Sequence, residues 1–155
     1  MQPNYPWLMA AQRDPLHPRA TLPRSRRLAH DLEYEAVYAA KMRKSAGPLT
    51  VFAMPNAKSF YRLGLAVGKR VGIATVRTRE KRMIREAFRL LQHELPRAAD
   101  QTCYDLVISS RAHGPLELAG YVAALKDSVI QAHEAWTRRL RRARSSDAGS
   151  EGDAP

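Results

Sequence analysis

Arg77, Arg79, Lys81, Arg82, Arg85 and Arg89 fall inside one segment, VRTREKRMIREAFRLL over 76–91, whose other positions are largely apolar. Such a density of fixed cations suits phosphate. The planar arginine fork grips phosphate oxygens in pairs, and lysine adds a mobile point charge. Set about 100° apart around a helix, Val76, Met83, Ile84, Ala87, Leu90 and Leu91 share one broad arc. Lys81, Arg82, Arg85 and Arg89 occupy the opposite arc, with Arg77 and Arg79 at its borders. Glu80 points toward the apolar arc, and Glu86 is the outer arc's only acid. A merely solvated helix face mixes signs, because Glu and Lys one turn apart support each other while like charges repel. This face calls for a large anion instead, and a phosphate backbone fits that need.

Other chemistry finds little footing. His17, His30, His93, His113 and His133 are scattered through different elements and form no His-x-x-x-His pair, so no metal-ligand spacing emerges. Cys103 is the single cysteine, which excludes an intrachain disulfide and any cysteine zinc cluster. Asp31, Glu33 and Glu35 cluster in sequence, but they suit the start of a helix, where acids complement the dipole. Protein-borne hydrolysis would need positioned carboxylates or bases. No catalytic residue and no metal ligand is therefore assigned.

The elements that must position the basic segment follow from composition and periodicity. The chain of 155 residues suits one domain with tails. Its 26 Lys and Arg against 15 Asp and Glu give a net charge of +11 and a pI near 10.4, favouring a polyanionic partner. No stretch approaches a membrane span, and the N-terminus lacks the basic and apolar regions of a signal peptide; a cytoplasmic location is expected. Residues 1–23 carry Pro3, Pro6, Pro15, Pro18 and Pro23, the pattern of a disordered leader. Residues 144–155 are small and acidic and read as a disordered tail. The folded domain is expected over 24–143.

Within it, Leu28, Leu32, Tyr34, Val37, Tyr38 and Met42 recur at helical spacing, and Gly47 and Pro48 end that helix. LTVFAM at 49–54 and RLGLAV at 62–67 read as strands, joined by the turn-rich PNAKSFY into a β-hairpin. CYDLVISSR at 103–111 is a further buried strand, stopped by HGP. Leu118, Val122, Leu125, Val129, Ala132, Trp136 and Leu140 define a last amphipathic helix ending in a basic cluster. The order is helix, strand, strand, helix, strand, helix, a small α+β sandwich.

The strand RLGLAVGKRVG running directly into IATVRTREKRMIREAF resembles the protein subunit of bacterial ribonuclease P. That family's signature is an Arg-Asn-Arg box followed by Lys-Arg and a further Arg. Arg77, Arg79, Lys81, Arg82 and Arg85 stand at its basic positions, and the likeness covers about residues 24–142. The resemblance implies a two-layer α/β sandwich, order α-β-β-α-β-α, with a left-handed βαβ crossover (ribosomal protein S5 domain 2-like). It implies that the basic helix, Arg77, Thr78, Arg79, Lys81, Arg82, Arg85 and Arg89, with Lys69 and Arg70 before it, docks on the catalytic RNA. A cleft between the first helix and the sheet would take the single-stranded 5′ leader of precursor tRNA. Tyr34, Tyr38 and Phe52 fall at the family's leader-binding aromatics, with Arg62, Arg26 and Arg27 able to supplement the charge. Aromatic platforms suit unstacked bases, and a cationic ridge suits folded RNA.

By the same resemblance the holoenzyme removes the leader endonucleolytically, with chemistry and Mg²⁺ on the RNA and no cofactor on the protein alone. The partners implied are the catalytic RNA and precursor tRNA, with neither membrane nor DNA. Thr78 replaces the box's Asn, Ile73 stands where Asn is usual after Gly72, and Gly68 where Ser is common. Core packing is the competing reading for the three aromatics, and simple solvation for the three supplementary arginines. A general RNA-binding or ribosome-associated protein is the competing function; it needs the charge but no aromatic groove.

Overall fold

The structure, a computed structural model, describes residues 22–150, with side chains to Asp147. A 3-10 turn at Arg24–Arg26 leads to helix α1, Asp31–Ala39, followed by strands β1, Arg43–Ala46, β2, Leu49–Pro55, and β3, Arg62–Ala66. A second 3-10 turn at Lys69–Val71 precedes helix α2, Ala74–Leu91, then strand β4, Tyr104–Ser110, and helix α3, Leu118–Ser150. The strands form one sheet in the order β1-β2-β4-β3. β4 is antiparallel to β2 and parallel to β3, so β3, α2 and β4 make a βαβ unit that delivers the basic helix across the sheet.

The α+β class and the three expected helices are present, and two local expectations change. The strands at 49–55 and 62–66 do not form a hairpin, because β4 lies between them. The hairpin is instead β1 with β2, turned at Gly47, whose φ of 54° is a left-handed conformation suited to glycine. β1 falls inside the segment read as the end of the first helix. The chain leaves α1 after Ala39 and reverses at Lys41, φ 53°. The tail differs too: α3 continues to Ser150, across part of the segment read as disordered. The proline-rich leader lies outside the described residues apart from Leu22 and Pro23.

β4 is buried on both faces from Tyr104 to Ile108, as expected of a central strand. On one face Leu49, Val51, Leu106 and Ile108 pack with Ile84, Phe88 and Leu91 of α2 and Val122, Leu125 and Val129 of α3. The other face carries a smaller cluster, Leu28, Val37 and Val107, with Tyr34, Phe52, Met54 and Ala66 against it. Two helices thus cover one face, and the nine-residue α1 partly covers the other. Trp136 is the last buried residue of α3 among those whose side chains are described, its indole N–H donating to the Ala53 carbonyl at 3.0 Å.

Candidate nucleic-acid interface

Helix α2 divides its faces as its sequence requires. Ile84, Ala87, Phe88 and Leu91 are buried, whereas Arg79, Arg82 and Arg85 are exposed and Arg77, Lys81 and Arg89 half-buried. Val76, on the apolar arc, overhangs the core at the helix start and is exposed, as is Ile73. Arg77, Arg79, Lys81 and Arg85 make no ion pair among the described residues. Arg77 also holds its Nε buried without an acceptor, a donor that a bound anion would satisfy. Arg89 differs: its guanidinium is held by Glu86, Nε donating at 3.0 Å. The Arg89 hydrogen bond holds the Glu86 carboxyl below its usual range. The Thr78 hydroxyl donates back to the Ala74 carbonyl at 2.9 Å, one turn earlier. Lys69 and Arg70 are exposed on the turn before α2, extending the cationic surface past the helix N-terminus.

The inner face of α2 holds a cluster that sequence reading did not assign. Glu80 is buried, and its carboxylate accepts from the Ser110 hydroxyl at 2.6 Å, the Tyr121 hydroxyl at 2.6 Å and His113 Nε2 at 2.8 Å. Burial opposes ionisation, but the bonds from Ser110, Tyr121 and His113 outweigh it and keep the carboxyl below its usual range. A single acid thereby ties α2 to β4, to the following loop and to α3. The signal was an acid at the centre of an apolar arc, which must find donors once buried.

On the opposite sheet face, Tyr34 and Tyr38 share one side of α1. The Tyr34 ring lies on Gly64, where a Cβ would come within 2.8 Å of it, and its hydroxyl accepts from the Leu65 amide at 3.1 Å. Tyr38 is 40 % exposed and meets Phe52 edge to face, ring centroids 4.8 Å apart. Desolvation raises the Tyr38 hydroxyl above its ordinary pKa, so the tip remains a neutral donor. Tyr34 is therefore a packed support, and Tyr38 with Phe52 is the accessible aromatic edge.

Arg62 stands among carboxylates rather than free in the cleft. It faces its register partner Asp105, Nε donating at 2.8 Å and Nη2 at 2.5 Å, and reaches Glu33 through Nη1 at 3.1 Å. Asn56 also donates to Asp105, at 3.0 Å. Glu33 in turn accepts from the Ala29 and His30 amides at the head of α1. The Ala29 amide is the largest influence lowering its pKa, with His30 and Arg62 adding to it against desolvation. Arg62 thus fixes α1 to the sheet. Arg26 is similarly engaged, by Gln92 at 2.8 Å and over the Phe60 ring.

The two surfaces meet. A cavity of about 150 Å³ is lined by Arg27, Leu28, Tyr34 and Leu65 on one side and by Lys81 and Arg85 on the other. The outer face of α2 therefore meets the α1 side of the sheet at Tyr34, the packed member of the aromatic pair. No cluster of metal-ligating residues occurs among the described residues, and none of their helices is long and apolar enough to cross a membrane.

Comparison with known proteins bears on the family and the fold. The family model described as Ribonuclease P matches residues 22–132. The chain is 46 % identical over 74 residues to a ribonuclease P protein component from Methylococcus capsulatus, a match covering 47 % of this chain and 58 % of that protein. Among solved structures, the RNase P protein from Thermotoga maritima superposes with a TM-score of 0.55 at 24 % identity, covering 66 % of this chain and 94 % of that one. The RNase P protein from Staphylococcus aureus gives 0.54 at 21 % identity, covering 73 % and 93 %. These structural likenesses concern the fold, and the family model supplies the kinship. The chain belongs to the ribonuclease P protein family.

Proposed function

We propose that this chain is the protein subunit of ribonuclease P, assisting endonucleolytic removal of the 5′ leader from precursor tRNA. The observation that carries the reading is the outer face of α2, where Arg77, Arg79, Lys81 and Arg85 have no ion-pair partner among the described residues. Folded RNA concentrates phosphates at the density such a face can neutralise, and counterion release drives the association. Arg82, exposed beside them, and Lys69 and Arg70 widen the same surface. The exposed edge of Tyr38 and Phe52 takes unpaired leader bases by stacking, while Tyr34 and Arg62 hold α1 in position for it. The phosphodiester chemistry, and the Mg²⁺ it uses, belong to the catalytic RNA; the protein's residues bind and orient. A cytoplasmic setting, with neither membrane nor DNA as partner, follows from that role.

Reconstitution tests it. This chain, the catalytic RNA of the same organism, and both together are assayed on precursor tRNA at moderate Mg²⁺. The expected result is cleavage at the mature 5′ end, strongly enhanced by the protein over RNA alone. Cleavage by the protein alone, or no effect of adding it, would contradict the proposal.

A further inference from the structure

Beyond Trp136 the last helix leaves the core, and every residue from Thr137 to Asp147 is exposed. That projection carries Arg138, Arg139, Arg141, Arg142 and Arg144, with Asp147 its only acid up to that point. It begins after residue 132, where the match to the family model ends. Like charges one turn apart repel, and a helix without a packed face draws little stability from propensity alone. Arg138, Arg141 and Arg142 have no side-chain partner among the described residues. This is a second unneutralised cationic surface, distinct from α2.

Its placement says what would neutralise it. Arg139 is the hinge pin: its guanidinium lies over the Trp136 ring, centroid distance 4.5 Å, and donates to the carbonyls of Ala40 and Lys41 at 2.6 and 3.0 Å. Those carbonyls follow the end of α1, Ala40 being its C-cap and Lys41 the next residue. The indole itself is bonded to Ala53, the neighbour of Phe52. Trp136 and Ala53 belong to the sheet face opposite Phe52, so the projection is pinned through Arg139 at the turn that follows α1, two and three residues beyond Tyr38. Exposed Arg43, the register partner of Phe52, stands at the same corner.

We infer that the projecting part of α3 is a second RNA-binding surface that holds the phosphates of the single-stranded leader after it leaves the Tyr38–Phe52 edge. The inference rests on the leader-binding reading above and extends it to longer leaders. An arginine row on a helix offers charge without base pockets, so the contact is sequence-tolerant and lowers affinity steeply with salt.

The test uses the full chain with the triple substitution R138Q/R141Q/R142Q, which removes charge while keeping good helix formers. Affinity of the reconstituted holoenzyme is measured for mature tRNA and for precursors with short and long leaders, over a salt series. Wild type should gain affinity with leader length, and the variant should keep the short-leader gain but lose the increment for long leaders. Its salt slope on long leaders should fall by roughly 2, about 0.7 for each lost contact to a single strand. Melting should be unchanged, since these side chains pack on nothing.

An unchanged long-leader increment in the variant would overturn the inference while leaving leader binding intact. Equal losses on mature tRNA and every precursor would also overturn it, placing the arginines on the catalytic RNA instead. If wild type itself fails to prefer precursor to mature tRNA, the leader-binding reading falls, and this inference with it. Binding of the wild type, but not the variant, to vesicles of anionic lipid with no loss on long leaders would assign the projection to a membrane surface and contradict the proposal.

Discussion

The outer face of α2 and the cleft beside α1 both hold arginine, and they use it in opposite ways. On α2 most of the cations are left without internal partners, although α2 itself is tied down by Glu80 on its inner face. In the cleft, Arg62 is consumed by Asp105 and Glu33, and the exposed chemistry is aromatic. The difference shows that charge count alone does not locate a binding surface. An arginine paired within the fold positions other groups, and only an unpaired one has its charge to give to phosphate.

Breaking the inner tie of α2 should have the largest effect on the fold. E80Q removes the charge that Ser110, Tyr121 and His113 donate to and leaves donors facing an amide, so it should destabilise by about 3 kcal/mol, measured by urea unfolding. Because the folded Glu80 carboxyl is depressed, its ionisation adds stability that is full above the unfolded glutamate value of about 4.3. That stability is lost as pH falls through the lower folded value. The E80Q variant should lack this share of the acid-side decline; an identical decline in both proteins would show that Glu80 is not linked to folding.

The aromatic side is tested next. Y34A/Y38A should cost about 1 to 3 kcal/mol of binding per unstacked base in precursor tRNA, with affinity for the catalytic RNA kept. If precursor binding stays intact while the melting temperature falls, the tyrosines act only as core. G64A sharpens the division between them. A methyl group there collides with the Tyr34 ring and should cost about 1 to 3 kcal/mol of stability by overpacking, shifting α1 while leaving both tyrosine side chains in place in the sequence. Wild-type melting in G64A would show that Tyr34 is not seated on the sheet.

The smallest effect is expected at Glu86, a half-exposed partner of Arg89. E86A should change stability by no more than about 0.5 kcal/mol while releasing a further cation on the outer face. Catalytic-RNA affinity should therefore rise slightly; a fall would assign Glu86 a contact of its own.

Much of this organisation is legible in the sequence, and what is not has a physical cause. The two faces of α2 follow from a period of 3.6 residues and hold in the structure from Ile84 to Leu91. Strand pairing is not a local property: β2 and β3 look like a hairpin until β4, from some fifty residues later in the chain, inserts between them. β1, with Arg43, Lys44 and Ser45, has no apolar pattern of its own, and pairing with β2 defines it. The engagement of Arg62 likewise depends on the register that sets it opposite Asp105. The basic end of α3 was visible as composition, but its direction depends on the Trp136 and Arg139 anchors.

The central claim, that unpaired cations on α2 grip the catalytic RNA while the cleft reads the leader, is most directly tested by the salt dependence of binding to catalytic RNA alone. Wild type, R77E/K81E/R85E and Y34A/Y38A are compared by filter-binding titration across a salt series. The charge-reversed protein should bind more weakly, with a slope smaller by roughly 2 to 3, near 0.9 per lost phosphate contact, while the tyrosine variant matches wild type. Equal slopes for wild type and the charge-reversed protein would contradict the account.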